Sequence, residues 1–263
     1  MTSTDRRTAL RTGAGLLAAG ALTAGCAPNG ADAHPTSPAH PSSTPSHTPS
    51  PTPSAAPAPR RLPGRPAQLT HGPRTHPRVA LTFHGQGDPA LADTLLTEAE
   101  KHGARLTVLA VGSWLDQYPD MARRVLDGGH DLGNHTQRHL AVNAMSEADA
   151  RSEITACADR LGHLTGSIGT WFRPSRAPLA SPLVLRLARS AGYPHVLSYD
   201  VDSLDYTRPG ADAVRRKVLD EVRGGSVVSM HFGYPDTVAA LPVVLEELAR
   251  RGLAAVTTTE LFS

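Results

Sequence analysis

The run Val79-Ala80-Leu81-Thr82-Phe83-His84-Gly85 is followed by a helical pattern over Leu91–His102 and then by a second apolar run, Leu106–Val111. Strand, helix and strand in that order make a βαβ unit, whose strands lie parallel and are covered on both faces. Gly103 stands where the intervening helix would end. The alternation continues to the C-terminus. Strands are expected over His130–Gly133, Gly169–Phe172, His195–Asp200, Ser226–His231 and Ala254–Thr258. Helices are expected over Asp120–Asp127, Glu147–Leu164, Leu183–Ala191, Ala211–Val222 and Thr237–Arg251, with Ser146-Glu147-Ala148-Asp149 in the form of a capping box. About seven such units in roughly 190 residues suit a small (β/α) barrel better than a long open sheet. In either α/β architecture, reactive groups belong at the C-terminal ends of the strands.

Upstream, the composition changes. Twelve of the 23 prolines fall between Pro28 and Pro66, in a stretch with one acidic residue and no Phe, Trp, Tyr, Ile, Val or Met. Such a stretch buries too little apolar surface to offset the entropy of ordering it. Residues 27–76 therefore read as a disordered Pro/Ala/Ser/Thr-rich tether, able to span on the order of 100 Å where extended. The folded domain is expected over 77–263. Residues 1–66 carry six Arg and two Asp; the remainder carries 20 basic and 22 acidic residues. The basic excess thus belongs to the leader and tether. A near-neutral domain without a clustered basic face argues against nucleic acid as a partner. With 4% aromatic residues and no 18-residue apolar run after residue 26, the chain is not a polytopic membrane protein.

Residues 1–26 read as an export signal. Arg6-Arg7, with Leu10 and Arg11 behind them, resembles a twin-arginine signal, and Leu22-Thr23-Ala24-Gly25-Cys26 resembles a lipoprotein cleavage box. The expected location is the outer face of the cytoplasmic membrane or beyond it, with membrane contact only through a lipid on Cys26. Cys157 then has no disulfide partner and is expected to be buried in a helix. His34, His40 and His47 read as solvated spacer. Nothing in the folded part points to an oligomer, so a monomer is expected.

Chemistry-bearing residues gather at the predicted strand exits. His84 precedes Gly85 and Gly87, which let a ligand approach the backbone closely. Gly133-Asn134-His135-Thr136-Gln137-Arg138-His139 carries a His-x₃-His spacing that, on a helical turn, sets two imidazoles on one side, two-thirds of a three-ligand zinc site. Arg173 follows the next strand, Asp202 and Asp205 the one after, and His231 ends the last long one. A structural arginine or aspartate is ordinary, but this set on one rim is not.

These motifs, in this order, resemble the polysaccharide deacetylases of carbohydrate esterase family four, which have a distorted (β/α) barrel. The family order is Thr-Phe-Asp-Asp-Gly, His-Ser/Thr-x-x-His, Arg-x-Pro, Asp-x-x-Asp-Trp and Leu-x-His. Here the second is intact as His135-Thr136-Gln137-Arg138-His139. The third is shortened to Arg173-Pro174, the fourth reads Asp202-Ser203-Leu204-Asp205-Tyr206, and the fifth keeps His231 with Ser229 in place of Leu. The first motif departs furthest. Its two carboxylates, in the family the general base and a metal ligand, are His84 and Gly85.

The resemblance implies hydrolysis of N-acetyl (or O-acetyl) groups on a polysaccharide such as peptidoglycan or a chitin-like glycan, with a divalent metal, zinc first among them. Two repairs of the first motif are open. His84 completes a three-histidine site with His135 and His139. Alternatively, His84 acts as the base, kept neutral by Arg173, and Asp88 or water supplies the third ligand. The resemblance further assigns His231 as the acid, oriented by Asp205 with Asp202 as second choice, and the Arg176 backbone N–H to the oxyanion. Tyr206, Trp171 and Tyr234 are candidates to stack on sugar rings. Gly85, Ser229 and Tyr206 equally fit a surface glycan-binding protein that has lost catalysis. An amidohydrolase for a small non-glycan amide is a third reading.

Overall fold

The computed structural model describes residues 55–263; the export signal, Cys26 and the tether histidines lie outside the described residues. The elements are β1 (Gln68–Leu69), β2 (Arg78–Gly85), α1 (Pro89–Lys101), β3 (Thr107–Ala110), α2 (Gly112–Gln117), α3 (Asp120–Asp127), β4 (Asp131–Asn134), α4 (Glu147–Thr165), α5 (Pro182–Ser190), β5 (Val196–Leu197), β6 (Val201–Asp202), α6 (Ala211–Glu221), β7 (Val227–His231), α7 (Pro235–Arg250), β8 (Ala254–Ala255) and α8 (Thr258–Leu261). All the paired strands are parallel, in the order β4-β3-β2-β7-β6, with β8 joined to the start of β2 and β1 to β5. Phe172 bridges Asn134 on one side and Val196 of β5 on the other. The staves β6, β7, β2, β3, β4, Phe172 and β5 thus form the distorted (β/α) barrel that the alternation predicts, its last gap crossed by the chain itself between β5 and β6.

Period-two alternation explains where the core lies. On β2, Val79, Leu81 and Phe83 pack with the buried faces of α1, α6 and α7 outside the barrel. The inward set is Ala80, Thr82 and His84; on β7 it is Val227, Ser229 and His231. At the lower end Ala80 and Val227 join Leu69, Leu109, Trp171, Leu197 and Phe262 in an apolar plug. Toward the C-terminal ends the same faces become hydroxyl and imidazole. The barrel is apolar below and polar above.

Local signals account for several boundaries. Ser146 Oγ accepts from Asp149 N at the start of α4, and α1 stops at Lys101 just before Gly103, which holds φ +65°. Cys157 is buried on the inner side of α4. Other expectations change. The strand over Gly169–Phe172 shrinks to the single bridge at Phe172, and that over His195–Asp200 to Val196–Leu197, because each makes only a short edge contact. Ala254–Thr258 pairs over two residues before Thr257 caps α8 with Glu260. The short helix α2 was not expected.

The domain begins earlier than residue 77. Ala56 is buried, and the Pro57 carbonyl accepts from Thr170 Oγ1 at 3.0 Å. Leu62 N–H donates to His195 Nε2 at 2.9 Å, while His195 Nδ1–H donates to the Pro66 carbonyl at 2.8 Å. β1 follows, and Arg74 pairs with Asp200 at 2.7 Å. Composition argued for a tether here because individual backbone groups, rather than a run of apolar side chains, hold this strap down. Among the described residues no helix is long and apolar enough to cross a membrane.

Leu69 is 2% exposed within the apolar plug. Replacing it by Ala is expected to lower unfolding free energy by about 2–4 kcal/mol. Urea unfolding of the full chain checks this; a change within about 0.5 kcal/mol, the range of ordinary surface substitutions, would detach the strap from the fold.

Candidate active site

The register of the central strands builds the site. His84 lies beside His231 across the β2–β7 ladder and beside Leu109 across the β2–β3 ladder. The His84 and His231 rings are 4.2 Å apart, centroid to centroid, and His84 and His135 are also 4.2 Å apart. His139 sits 4.8 Å from the His135 ring.

His135 and His139 are positioned by an irregular loop rather than the expected helical turn. Thr136 and His139 have φ of +67° and +55°, a conformation that non-glycine residues adopt only when held there. The holding bonds are clear. Asn134 Oδ1 accepts from Thr136 N at 2.8 Å, and its Nδ2 donates to the Ile154 carbonyl and to Tyr193 Oη. Glu153, 2% exposed on α4, takes Arg138 N through one oxygen and Arg138 Nε through the other. The Glu153 carbonyl accepts from Gln137 N.

The tautomer of His135 is set by its neighbour. A carbonyl can only accept, so His135 Nδ1–H donates to Arg173 O at 3.1 Å and leaves the Nε2 lone pair free. That Nε2 is buried with no partner, as is His84 Nδ1. One nitrogen from each of His84, His135 and His139 falls within 4.8 Å of the others. Burial, reinforced by the neighbouring imidazoles, pushes His84 and His135 well below the usual imidazole range. Burial and then Arg176 push His139 down to about 4. Three neutral imidazoles that face one another, two of them with a buried, unpartnered nitrogen, fit a divalent metal, and the all-nitrogen set fits zinc with a position left for water. Asp88, the alternative third ligand, is elsewhere: its carboxylate accepts from Ala90 N and caps α1.

Gly85 points the other way. A Cβ there would meet Val108 Cγ1 at 2.9 Å and Ala110 Cα at 3.0 Å, on the helix-facing side of the sheet. The site has no room for a carboxylate at that position.

Asp205, fully buried, accepts His231 Nδ1–H at 2.7 Å, His231 N at 2.8 Å and Thr237 Oγ1 at 2.7 Å. The second choice, Asp202, lines the cleft beside Tyr199 instead. His231 Nε2 makes no hydrogen bond among the described residues. Arg173 is fully buried behind the site. Its guanidinium donates to Thr82 Oγ1 and to the carbonyls of Leu197 and Ser198, and Nη1 has no partner. Burial lowers it to about 10. It makes no hydrogen bond to His84, though its charge also disfavours the imidazolium there.

His84, His139 and His231 open on a cleft of about 730 Å³ walled by Arg176, Tyr199, Asp202, Tyr206 and Tyr234. Trp171 is excluded from it, buried in the plug against Phe262. Ser229, noted in the sequence only as a departure from the motif, puts its Oγ 3.4 Å from His84 Nε2, and Tyr199 on the wall was not foreseen. Sequence reading also missed Glu153, whose signal is a carboxylate on the apolar face of α4.

A family model for polysaccharide deacetylases matches residues 71–196. A peptidoglycan-N-acetylglucosamine deacetylase of Bacillus cereus is 30% identical over 193 residues, 72% of this chain and 90% of that one. The family 4 carbohydrate esterase of Streptomyces lividans, solved with acetate, superposes with TM-score 0.63 at 26% identity over 68% of this chain and 91% of that one. BA3943 of Bacillus anthracis, a CE4 family pseudoenzyme, shares the fold with TM-score 0.71 at 23% identity over 76% of this chain and 70% of that one.

The full chain, purified and exposed to zinc, is expected to hold about one equivalent, as a three-imidazole site does. In His135→Ala, zinc by elemental analysis should fall to background. Retained stoichiometric zinc in that variant would remove the site from these residues.

Proposed function

This chain belongs to the polysaccharide deacetylase family, and from that premise we propose that it is a metal-dependent hydrolase removing N-acetyl (or O-acetyl) groups from a cell-wall or extracellular polysaccharide. The observation that carries the reading is the placement, on one rim, of a three-imidazole cluster beside a separate Asp205–His231 pair. A divalent metal, zinc first, held by His84, His135 and His139, would supply Lewis acidity toward the acetyl carbonyl.

The chain's own groups do the rest. With His84 engaged as a ligand, His231 is the cleft-facing imidazole left to move protons. Its Nε2 would take the proton of the attacking water and deliver it to the departing amine nitrogen. Asp205 fixes the ring and holds Nδ1 as the donor, so Nε2 alone faces the reaction. The oxyanion is assigned to the Arg176 backbone N–H, by resemblance. Arg176 lies on the cleft wall in a left-handed conformation, φ +54°. Tyr206 and Tyr234 flank His231 at 5.4 and 5.9 Å between ring centroids and offer apolar faces to a sugar.

A glycan-binding protein without turnover is the second reading, favoured by the closed position at Gly85. Export to the outer face of the cytoplasmic membrane, with a lipid on Cys26, is part of the proposal; it rests on the leader's residues. Intact mass of the membrane-extracted chain should show cleavage before Cys26 and an added acyl mass, and an unmodified Cys26 would withdraw the anchor.

His231→Ala is expected to cut deacetylation of an N-acetylated glycan by roughly 10²–10⁴-fold while zinc content is unchanged. Acetate release and elemental analysis on the same sample read both. Turnover retained in the variant would sink the role of His231, and a native, zinc-replete protein that binds glycan without releasing acetate would move the chain to the second reading.

A further inference from the structure

Two guanidinium groups, one lining the cleft and one beside its wall, have no carboxylate partner among the described residues. Arg176 is exposed on the wall, with Nε donating to the His139 carbonyl at 3.0 Å. Arg208, exposed beyond the turn Asp205–Thr207, holds its Cζ 5.8 Å from the centre of the Tyr234 ring, itself part of the wall. Among the described residues neither forms an ion pair, whereas nearby Arg138 is bound to Glu153 at 2.6 Å. Both sit in left-handed backbone, φ +54° and +56°, where glycine or asparagine would be cheaper.

The carboxylates of the site do not offset them. Asp205 is buried and committed to His231 and Thr237. Asp202 is the acidic residue on the wall, and the buried Arg173 guanidinium behind it feels its charge. One wall carboxylate against two guanidinium groups leaves this part of the rim positive through Arg176 and Arg208.

Resting on the deacetylase reading above, we propose that the cleft selects an acidic glycan. Arg176 and Arg208 each meet a carboxylate carried on the strand beside the acetylated sugar, as a guanidinium fork does in a charge-assisted contact. A neutral N-acetylated oligosaccharide fits the same cleft without these contacts.

The test uses the full chain loaded with zinc and three probes. One is a muramic-acid-containing glycan strand free of peptide, the second is the same strand with its lactyl carboxyls amidated, and the third is an N-acetylated oligosaccharide bearing ring uronates. The native chain is expected to favour the acidic over the amidated strand by about tenfold in kcat/KM, mostly through KM, with the preference shrinking as salt rises. Arg176→Gln and Arg208→Gln should each reduce that ratio, and the double variant should bring it near one. The uronate probe tells a ring carboxylate from a lactyl one as the preferred source. A ratio near one in the native chain, or one unchanged in the double variant, overturns the proposal. Calorimetric binding of the same probes reads the preference without turnover. Acidic preference in binding with no acetate released would end the deacetylase reading and leave this one standing.

Discussion

The parallel ladder between β2 and β7 is the contact on which the site depends. Its register sets His84 against His231, and with it Thr82 against Ser229 and Ala80 against Val227. Because side chains alternate across a strand, a slip of β7 by one residue against β2 would send His231 into the helix layer and bring Met230 into the barrel. The apolar residues facing α1, α6 and α7 therefore hold the chemistry in place, although none of them touches it. Supporting bonds then refine it: Arg173 ties Thr82 to the β5 exit, and Asn134 and Glu153 pin the histidine loop.

Much of this was legible in the chain. Long strands buried on both faces, such as Val79–Phe83 and Ser226–His231, stand out as β-branched runs, and helices with caps at Ser146 or Gly103 announce their ends. The rim residues could be gathered because a parallel α/β fold puts its strand exits at one end. What escaped were elements whose existence is decided by neighbours. Phe172 pairs through one residue on each side, β5 and β6 through two, and no local pattern marks a stave that short. The strap from Ala55 to His76 was hidden by composition, since its attachments are carbonyl and amide bonds to His195 and Thr170.

At the site, residue types were easier to foresee than their partners. Sequence left His84 between ligand and base; the structure brings it within the imidazole cluster and takes Asp88 away to cap α1. Asp202 and Asp205 are three positions apart and equivalent on paper, yet burial separates them. Asp205 is enclosed with three donors around it, and Asp202 stays on the cleft wall. Glu153 was overlooked for the same reason: a carboxylate in an apolar stripe looks like an error until the loop it holds is visible.

The outward-facing Gly85 bears on how readily a carboxylate could be placed there. A carboxylate at that position would need a local backbone that turned it inward, or a β3 that stood further off than Val108 and Ala110 do. At the present distance of β3 a single substitution at Gly85 would clash, and a smaller residue in β3 alone would leave a void. Positions this close are strongly coupled, so the two steps are harmful apart and tolerable only together. A side chain at position 85 therefore calls for paired changes, one in β2 and one in β3, which selection acting on single substitutions would not readily find.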